Sequence, residues 1–244
     1  MNNGLYAALS GMRARQRTLE TQANNIANAS TTGFKAERLL YSAIEAAKKG
    51  AGAEENQAAG VQTTAITDFS AGSIRQTGRT LDVAIEGDAF LQIQTAQGAR
   101  YTRAGNLSLN ASGQLVTHSG DLVVGGNGAI TIPPGGGELS IGQDGSLAVG
   151  NQTFDKLKLV RFENPATALV KEGNALFLAT GTEQPAANVN SKVVQGALES
   201  SNINPISEMV AMINNNREFE SLQKSVSLLM NDLGRKISSE IGRI

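Results

Sequence analysis

Both ends of this chain place apolar residues in an alternating three–four repeat, and the stretch between them does not. Near the N-terminus Leu5, Leu9, Met12, Leu19, Ala23 and Ile26 fall on one stripe, interrupted by Gln16. Near the C-terminus Met212, Phe219, Leu222, Val226, Leu229 and Leu233 do the same. That spacing specifies two amphipathic helices with narrow apolar seams, and a narrow seam needs another helix to cover it. The ends are therefore expected to pack on each other or on copies of themselves in neighbouring subunits. Such a chain is a building block first, and a catalyst only if something else demands it.

The first helix is expected from near Gly4 to about Asn28, broken by the hydroxyls and glycine of Ser30-Thr31-Thr32-Gly33. Phe34 to Lys49 predicts a second helix with Leu39, Leu40, Tyr41 and Ile44 on its apolar side. Residues 50–65 have little to bury and predict a flexible connection. From about Ile66 the period becomes two: Leu81, Val83 and Ile85 alternate with Asp82, Ala84 and Glu86, the pattern of a half-buried strand. Turn dipeptides then punctuate short apolar runs as far as Phe162, which predicts an all-β region of barrel or sandwich type. In Ser201-Asn202-Ile203-Asn204-Pro205, Asn204 suits a helix cap and Pro205 the first helical position, opening a helix to about Ile241. The expected fold is α+β. Residues 1–65 and 203–244 form a helical core, its two terminal helices paired like a coiled coil, and 66–202 form an inserted β domain.

Composition narrows the function. Net charge is −1, so no global field draws the chain to nucleic acid or an acidic membrane. The basic residues Arg13, Arg15, Arg17, Lys35 and Arg38 suit a solvated helix face better than a membrane-surface one. There is no cysteine, hence no disulfide, thiolate metal site or cysteine nucleophile. No apolar run approaches the ~18 residues of a membrane span, and no signal peptide is expected, since Leu5 to Leu9 is too short an apolar core for one. Any export would use a route that reads something else.

Catalytic chemistry finds little support, and no catalytic, cofactor or metal site is expected. The single histidine, His118, lies in a turn-like Thr117-His118-Ser119-Gly120 and suits a turn better than a general base. Asp82, Glu86 and Asp88 form a carboxylate cluster, read as a strand's polar face and a turn rather than an acid pair or metal site. Gly125-Gly126-Asn127-Gly128 and Pro133-Pro134-Gly135-Gly136-Gly137 lack the P-loop pattern and open no helix. Tyr101 between Arg100 and Arg103 is one aromatic, not a stacking platform for bases.

The segment Gln22-Ala23-Asn24-Asn25-Ile26-Ala27-Asn28 supports two readings. Asn24, Asn25 and Asn28 can share a helix flank and fix register against another helix, or the polar helix end can simply fray. This block, followed by Thr32-Gly33-Phe34-Lys35, resembles the signature of bacterial flagellar axial proteins of the rod and hook family. Leu81 to Ile85, Tyr101-Thr102-Arg103-Ala104-Gly105-Asn106, Gly113 to Thr117 and Gly196 to Ile203 resemble further segments of that family, in the same order along the chain. Asp88-Ala89-Phe90-Leu91, where distal-rod members carry G-F-F, makes the chain most similar to the proximal-rod branch adjoining the distal rod.

The resemblance implies a tubular structural subunit without enzymatic activity or cofactor. It would self-assemble with neighbouring rod subunits into a periplasmic drive shaft, and be delivered by the flagellar export apparatus. The assembly seam would comprise Leu5, Leu9, Met12, Leu19, Ile26, Met212, Phe219, Leu222, Val226, Leu229 and Leu233, with Asn24, Asn25 and Asn28 setting register. A distal-rod or hook-type subunit is the alternative within the family. A ligand-binding module or hydrolase on a trimeric coiled coil is the remote alternative outside it.

Overall fold

The computed structural model describes residues 2–44, 60–134, 137–181, 185–187 and 190–241. It is a mixture of helix and sheet, with a helix at each end and a β-rich centre. The described helices are α1 (Asn2–Ala27), the short α2 (Pro165–Ala168) and α3 (Pro205–Ile241). None is long and apolar enough to cross a membrane. The chain divides into two units: Met1–Ala27, Glu37–Ile66 and Asn204–Ile244 form one, and Asn28–Ala36 with Thr67–Ile203 form the other.

The first unit joins α1 and α3 to a pair of strands, β1 (Glu37–Ile44) and β2 (Gly60–Thr67). The expected cap of α3 is present: Asn204 Oδ1 accepts the N–H groups of Ile206 at 3.1 Å and Ser207 at 3.3 Å, with Pro205 opening the helix. These bonds satisfy donors that a helix start otherwise leaves unpaired.

The second helix predicted over Phe34 to Lys49 is not formed. Residues 37–44 are the strand β1, and 45–49 lie outside the described residues. The physical reason is Asn25, buried on α1. Its amide donates to the Glu37 carbonyl at 2.9 Å and accepts the Glu37 N–H at 3.0 Å, so a side chain supplies the two bonds a neighbouring strand would. The β-prone Gly60-Val61-Gln62-Thr63-Thr64-Ala65-Ile66-Thr67 supplies the strand on the other side, so the last part of the predicted flexible connection is β2. Residues 50–59 of that connection lie outside the described residues.

In the second unit every registered strand pair is antiparallel. The strands β3 (Ile74–Gln76) and β4 (Val83–Glu86) pair with Ala197–Glu199 and Lys192–Gln195 respectively. Next come β5 (Phe90–Thr95) and β6 (Gly98–Thr102), the centre of a ten-stranded sheet among the described residues. Beyond β6 that sheet continues through Leu176–Ala179 to Leu169–Gly173; beyond β5 it continues through Leu122–Gly125, Leu115–Val116 and Ser108–Leu109.

Period-two alternation sends β5 side chains to two cores. Leu91 and Ile93 are fully buried, Leu91 within an aliphatic cluster that includes Val83, Ile85, Leu107, Leu115, Val123 and Leu147. Phe90 joins an aromatic cluster with Tyr101, Phe162 and Phe177, Phe69 packing against it. Four of the chain's seven phenylalanines thus meet in one place, edge to face or tilted, at centroid separations of 5.1–6.0 Å. β4 departs from expectation. Ala84 is as buried as Val83 and Ile85, and Asp82 is buried just before the strand, so Asp82 and Ala84 are not a solvent-facing row. Gly105 explains the tight passage behind them, since a Cβ there would lie 1.7 Å from the Val83 carbonyl oxygen.

Candidate assembly surface

The seam residues chosen from the apolar repeat divide by environment. On α1, Met12, Leu19 and Ile26 are half-buried and Leu9 is 42% exposed. On α3, Met212, Phe219, Leu222 and Val226 are half-buried. The side chains of Leu5, Leu229 and Leu233 lie outside the described residues. Between the helices run polar contacts: Arg15 reaches Glu218 at 2.6 Å and Asn215 Oδ1 at 3.0 Å, and Asn215 donates to Gln22 at 2.9 Å. Arg15 and Glu218 are both well exposed, so their pairing adds orientation more than stability.

The three asparagines do not share one flank. α1 ends at Ala27; Asn24 is exposed, Asn25 is buried against β1, and Asn28 belongs to the β unit, where its Oδ1 accepts the Thr31 hydroxyl at 3.3 Å. Asn25 therefore holds α1 to β1 inside the chain.

A second apolar stripe on α3 lies outside the seam expected from the sequence. Ile206, Met209, Val210 and Ile213 recur at i, i+3, i+4 and i+7, and all are exposed, Ile206 by 69%. The spacing carries the signal, but this stripe begins one turn and a half before Met212, where the longer C-terminal repeat starts. The strand pair adds exposed Leu40, Tyr41 and Val61, with the Tyr41 hydroxyl hydrogen-bonded to Thr18. The helical unit thus presents apolar surface on α3 and on its strands after α1 and α3 have covered part of each other.

Within the β unit the motif residues converge on a buried charge junction. Lys35 and Glu199 are each 1% exposed and Arg103 is 3% exposed. Lys35 Nζ donates to Glu199 Oε1 at 2.6 Å and to the Ser70 carbonyl at 2.7 Å. Arg103 Nε donates to Glu199 Oε2 at 2.8 Å, and its Nη1 donates to the carbonyls of Gly87 and Ala89 at 2.8 and 2.6 Å. The Gly72 N–H completes Oε1 at 2.9 Å. Burial pushes the Lys35 ammonium below its usual range, and Arg103 nearby adds to that, against the pull of Glu199. Burial alone would raise Glu199, yet Arg103 and then Lys35 outweigh it and hold the carboxyl below its ordinary value.

Gly33 lets the chain enter this junction. Its φ is +66°, and a Cβ would sit 2.4 Å from the Ala104 nitrogen. Its N–H donates to the Glu199 carbonyl at 2.8 Å. Asn202 closes the other side, accepting the Ala36 N–H at 2.8 Å and donating to the Asp68 carbonyl at 2.8 Å. From the sequence Lys35 and Arg103 pass for ordinary surface or salt-bridge cations; their common partner, Glu199, lies far along the chain.

The carboxylates weighed for catalysis separate. Asp82 is buried, with Oδ2 accepting the Thr77 hydroxyl at 2.7 Å and Arg79 Nε 3.8 Å from Oδ1. Asp88 pairs with Arg161 at 2.7 Å, and Glu86 is exposed. Among the described residues no group of three His, Cys, Asp or Glu side chains gathers as metal ligands do. His118 sits in the expected turn, where the Thr117 N–H donates to the Asp121 carbonyl at 2.8 Å.

Three family models match the chain: "Flagella basal body rod protein" over residues 5–35, "Flagellar hook protein FlgE/F/G D1 domain" over 84–149, and "Flagellar basal body rod FlgEFG protein C-terminal" over 194–228. Each matched segment supplies one member of the charge junction, Lys35, Arg103 and Glu199 in turn. The flagellar basal-body rod protein FlgF of Caulobacter vibrioides is 35% identical over the whole length of both chains. FlgF of Salmonella typhimurium is 33% identical over 96% of this chain and 97% of its own. FlgG of Bacillus subtilis is 34% identical over 93% of this chain and 95% of its own.

Proposed function

Since this chain belongs to the flagellar basal-body rod protein family, we propose that it is a structural subunit of the proximal rod, adding end to end with its neighbours into a helical drive shaft that passes torque across the periplasm. The observation that carries this reading is the exposed stripe Ile206, Met209, Val210 and Ile213, on a helix that also packs along α1. Apolar surface of this kind marks an interaction site. Contacts of one patch with a different patch on the next subunit do not close, and so build a filament.

In this reading α1 and α3 form a coiled-coil-like pair that carries the subunit contacts, and a barrel- or sandwich-like β unit is presented outward. Leu5, Leu9, Met12, Leu19, Ile26, Met212, Phe219, Leu222, Val226, Leu229 and Leu233 contribute to the assembly seam, with Asn24, Asn25 and Asn28 setting its register, Asn25 by holding α1 to β1. Partners are further copies, the adjoining rod proteins and the flagellar export apparatus. The proximal position is supported by the end-to-end similarity to FlgF of Caulobacter vibrioides and by Asp88-Ala89-Phe90-Leu91. The similarity to FlgG of Bacillus subtilis keeps a distal position as the second reading.

In-frame deletion with imaging of the remaining basal bodies tests both. Rods that stop short of the distal segment, without hook or swimming, support the proximal assignment. Rods that end within the distal segment favour the second reading, and complete rods in a swimming strain overturn both.

A further inference from the structure

Asparagine followed by glycine is a dipeptide prone to react with itself, because the glycine carries no side chain to keep its nitrogen from the asparagine carboxamide. The chain has two such pairs. Asn3-Gly4 lies in the first turn of α1, where helical backbone angles hold the next nitrogen away from the carboxamide carbon. Asn127-Gly128 closes the hairpin between Leu122–Gly125 and Gly128–Ala129, with Gly128 registered opposite Gly125 and Ala129 opposite Val124.

The setting of this second pair leaves it open to reaction. Asn127 is exposed, as are Gly126, Gly128 and Ala129, so its carboxamide turns in water. Gly128 has φ +111°, and a Cβ built on it would meet nothing within 4 Å, so a ring joining it to Asn127 has room. The strand Gly128–Ala129 is two residues long at the tip of a hairpin, the kind of segment that opens locally at little cost. Beyond it the Ile130 N–H donates to the Val123 carbonyl at 3.1 Å, and the Leu115 N–H to the Ile130 carbonyl at 2.9 Å, which ties the base of the hairpin to the sheet.

Other turns in the β unit show what a protected residue looks like. Asp144-Gly145 has the same glycine, but Lys156 Nζ donates to Asp144 Oδ2 at 3.0 Å and the Ser146 N–H to Oδ1 at 3.1 Å. The Ser146 hydroxyl, then Lys156 and the Ser146 N–H, hold that carboxyl far below its ordinary range. A carboxylate kept ionised is a poor electrophile, so this pair is quiet. Asn110 is quiet because its carboxamide is held, accepting the N–H groups of Ser112 and Gln114 and donating to the Gln114 side chain.

We propose that Asn127 is a site of spontaneous covalent modification, converting through a succinimide to isoaspartate and aspartate. The Gly128 nitrogen attacks Asn127 Cγ: a nitrogen–carbon bond forms, the side-chain carbon–nitrogen bond breaks, and the amide nitrogen leaves as ammonia with the Gly128 proton. Water then opens the ring. Opening at Cγ gives aspartate, and opening at the main-chain carbonyl carbon gives isoaspartate, with the chain running through Cγ and a carboxylate on Cα. Isoaspartate lengthens the turn by one methylene. Either product places a new negative charge near the Asp155 carboxylate, whose Oδ1 accepts the Gly126 N–H at 3.0 Å. The added main-chain atom and the like charges both oppose the register of Gly128 and Ala129, so the modified hairpin opens while β5 and β6 stay paired.

The test is to age the full chain in warm, mildly alkaline buffer, folded and in urea, and to follow each asparagine by fragment-resolved mass spectrometry. An isoaspartate-specific methyltransferase reports the isoaspartate product. In the folded chain Asn127 should convert about 10-fold faster or more than Asn151 and Asn174, which are also exposed but precede glutamine and alanine. Its folded rate should stay within about 100-fold of its rate in urea, as opening of the hairpin tip alone requires. An Asn127 no faster than Asn151, or protected by folding beyond that limit, overturns the proposal. Methyl acceptance that maps to Asp144 in place of Asn127 also overturns it. In the isoaspartate fraction the amides of Gly126 and Ile130 should exchange faster with deuterium while those of β5 and β6 stay protected, and native exchange at Gly126 and Ile130 would refute the opening of the hairpin. None of these outcomes depends on the position of the chain in the rod.

Discussion

Removing the Glu199 carboxylate should damage this protein more than removing either of its cations. In Glu199→Gln the amide fills the same volume, but Lys35 and Arg103 stay buried, 1% and 3% exposed, without a counter-charge. Breaking a buried ion pair from one side costs about 3–5 kcal/mol, because the remaining charge is uncompensated. At about 2–4 °C per kcal/mol for a protein of this size, the melting temperature should fall by roughly 6–20 °C. Lys35→Met behaves differently. Glu199 keeps Arg103 and the Gly72 N–H, the Ser70 carbonyl keeps the Asn202 amide, and the main loss is the two bonds the ammonium donates, about 1–3 kcal/mol. Differential scanning calorimetry of the wild type and the two variants at neutral pH compares them directly. A loss in Glu199→Gln no larger than that in Lys35→Met would refute the reasoning, because the carboxylate would then not be the centre of the junction.

The pH dependence rests on the same groups. Glu199 is held below its ordinary value in the folded state, so its stabilisation is complete above the unfolded value of about 4.3 and is lost as pH falls through the lower folded value. Wild type should lose stability in that acid window more steeply than Glu199→Gln, and parallel curves from pH 5 to 3 would count against it. Gly33→Ala should destabilise by at least about 1–2 kcal/mol from its positive φ alone, and more from the contact with Ala104; an unchanged melting temperature would contradict the geometry. Asn25→Ala leaves the Glu37 N–H and carbonyl without their partners, so the amides of β1 should exchange faster with deuterium while β5 and β6 stay protected. Leu222→Asp, on the half-buried stripe of α3, should block incorporation into rods while the amides of β5 and β6 stay as protected from exchange as in the wild type; rods built from the variant would mean the seam is misassigned.

Short-range period and capping made part of this fold legible in the sequence. The two terminal helices, the Asn204 cap and the short strands between Leu81 and Phe162 arise from spacings of two or three to four residues and from hydroxyl, amide and glycine chemistry. β1 is not legible in that way, because its apolar residues, Leu39, Leu40, Tyr41 and Ile44, fit a helix about as well as a strand. The deciding interaction comes from Asn25, which a polar tally of α1 assigns to register or fraying. Asp82 misleads for a similar reason: alternation places it outward, but its Oδ2 meets Thr77 and its backbone bridges to Asn106. The charge junction is invisible to local pattern because 164 residues separate Lys35 from Glu199. Only the order of the motifs hints that they share one place.

Membership of the two units alternates along the chain. The backbone passes from one to the other after Ala27, Ala36, Ile66 and Ile203. Neither unit is a contiguous piece that a single cut releases: freeing either one whole takes a cut at all four of these crossings.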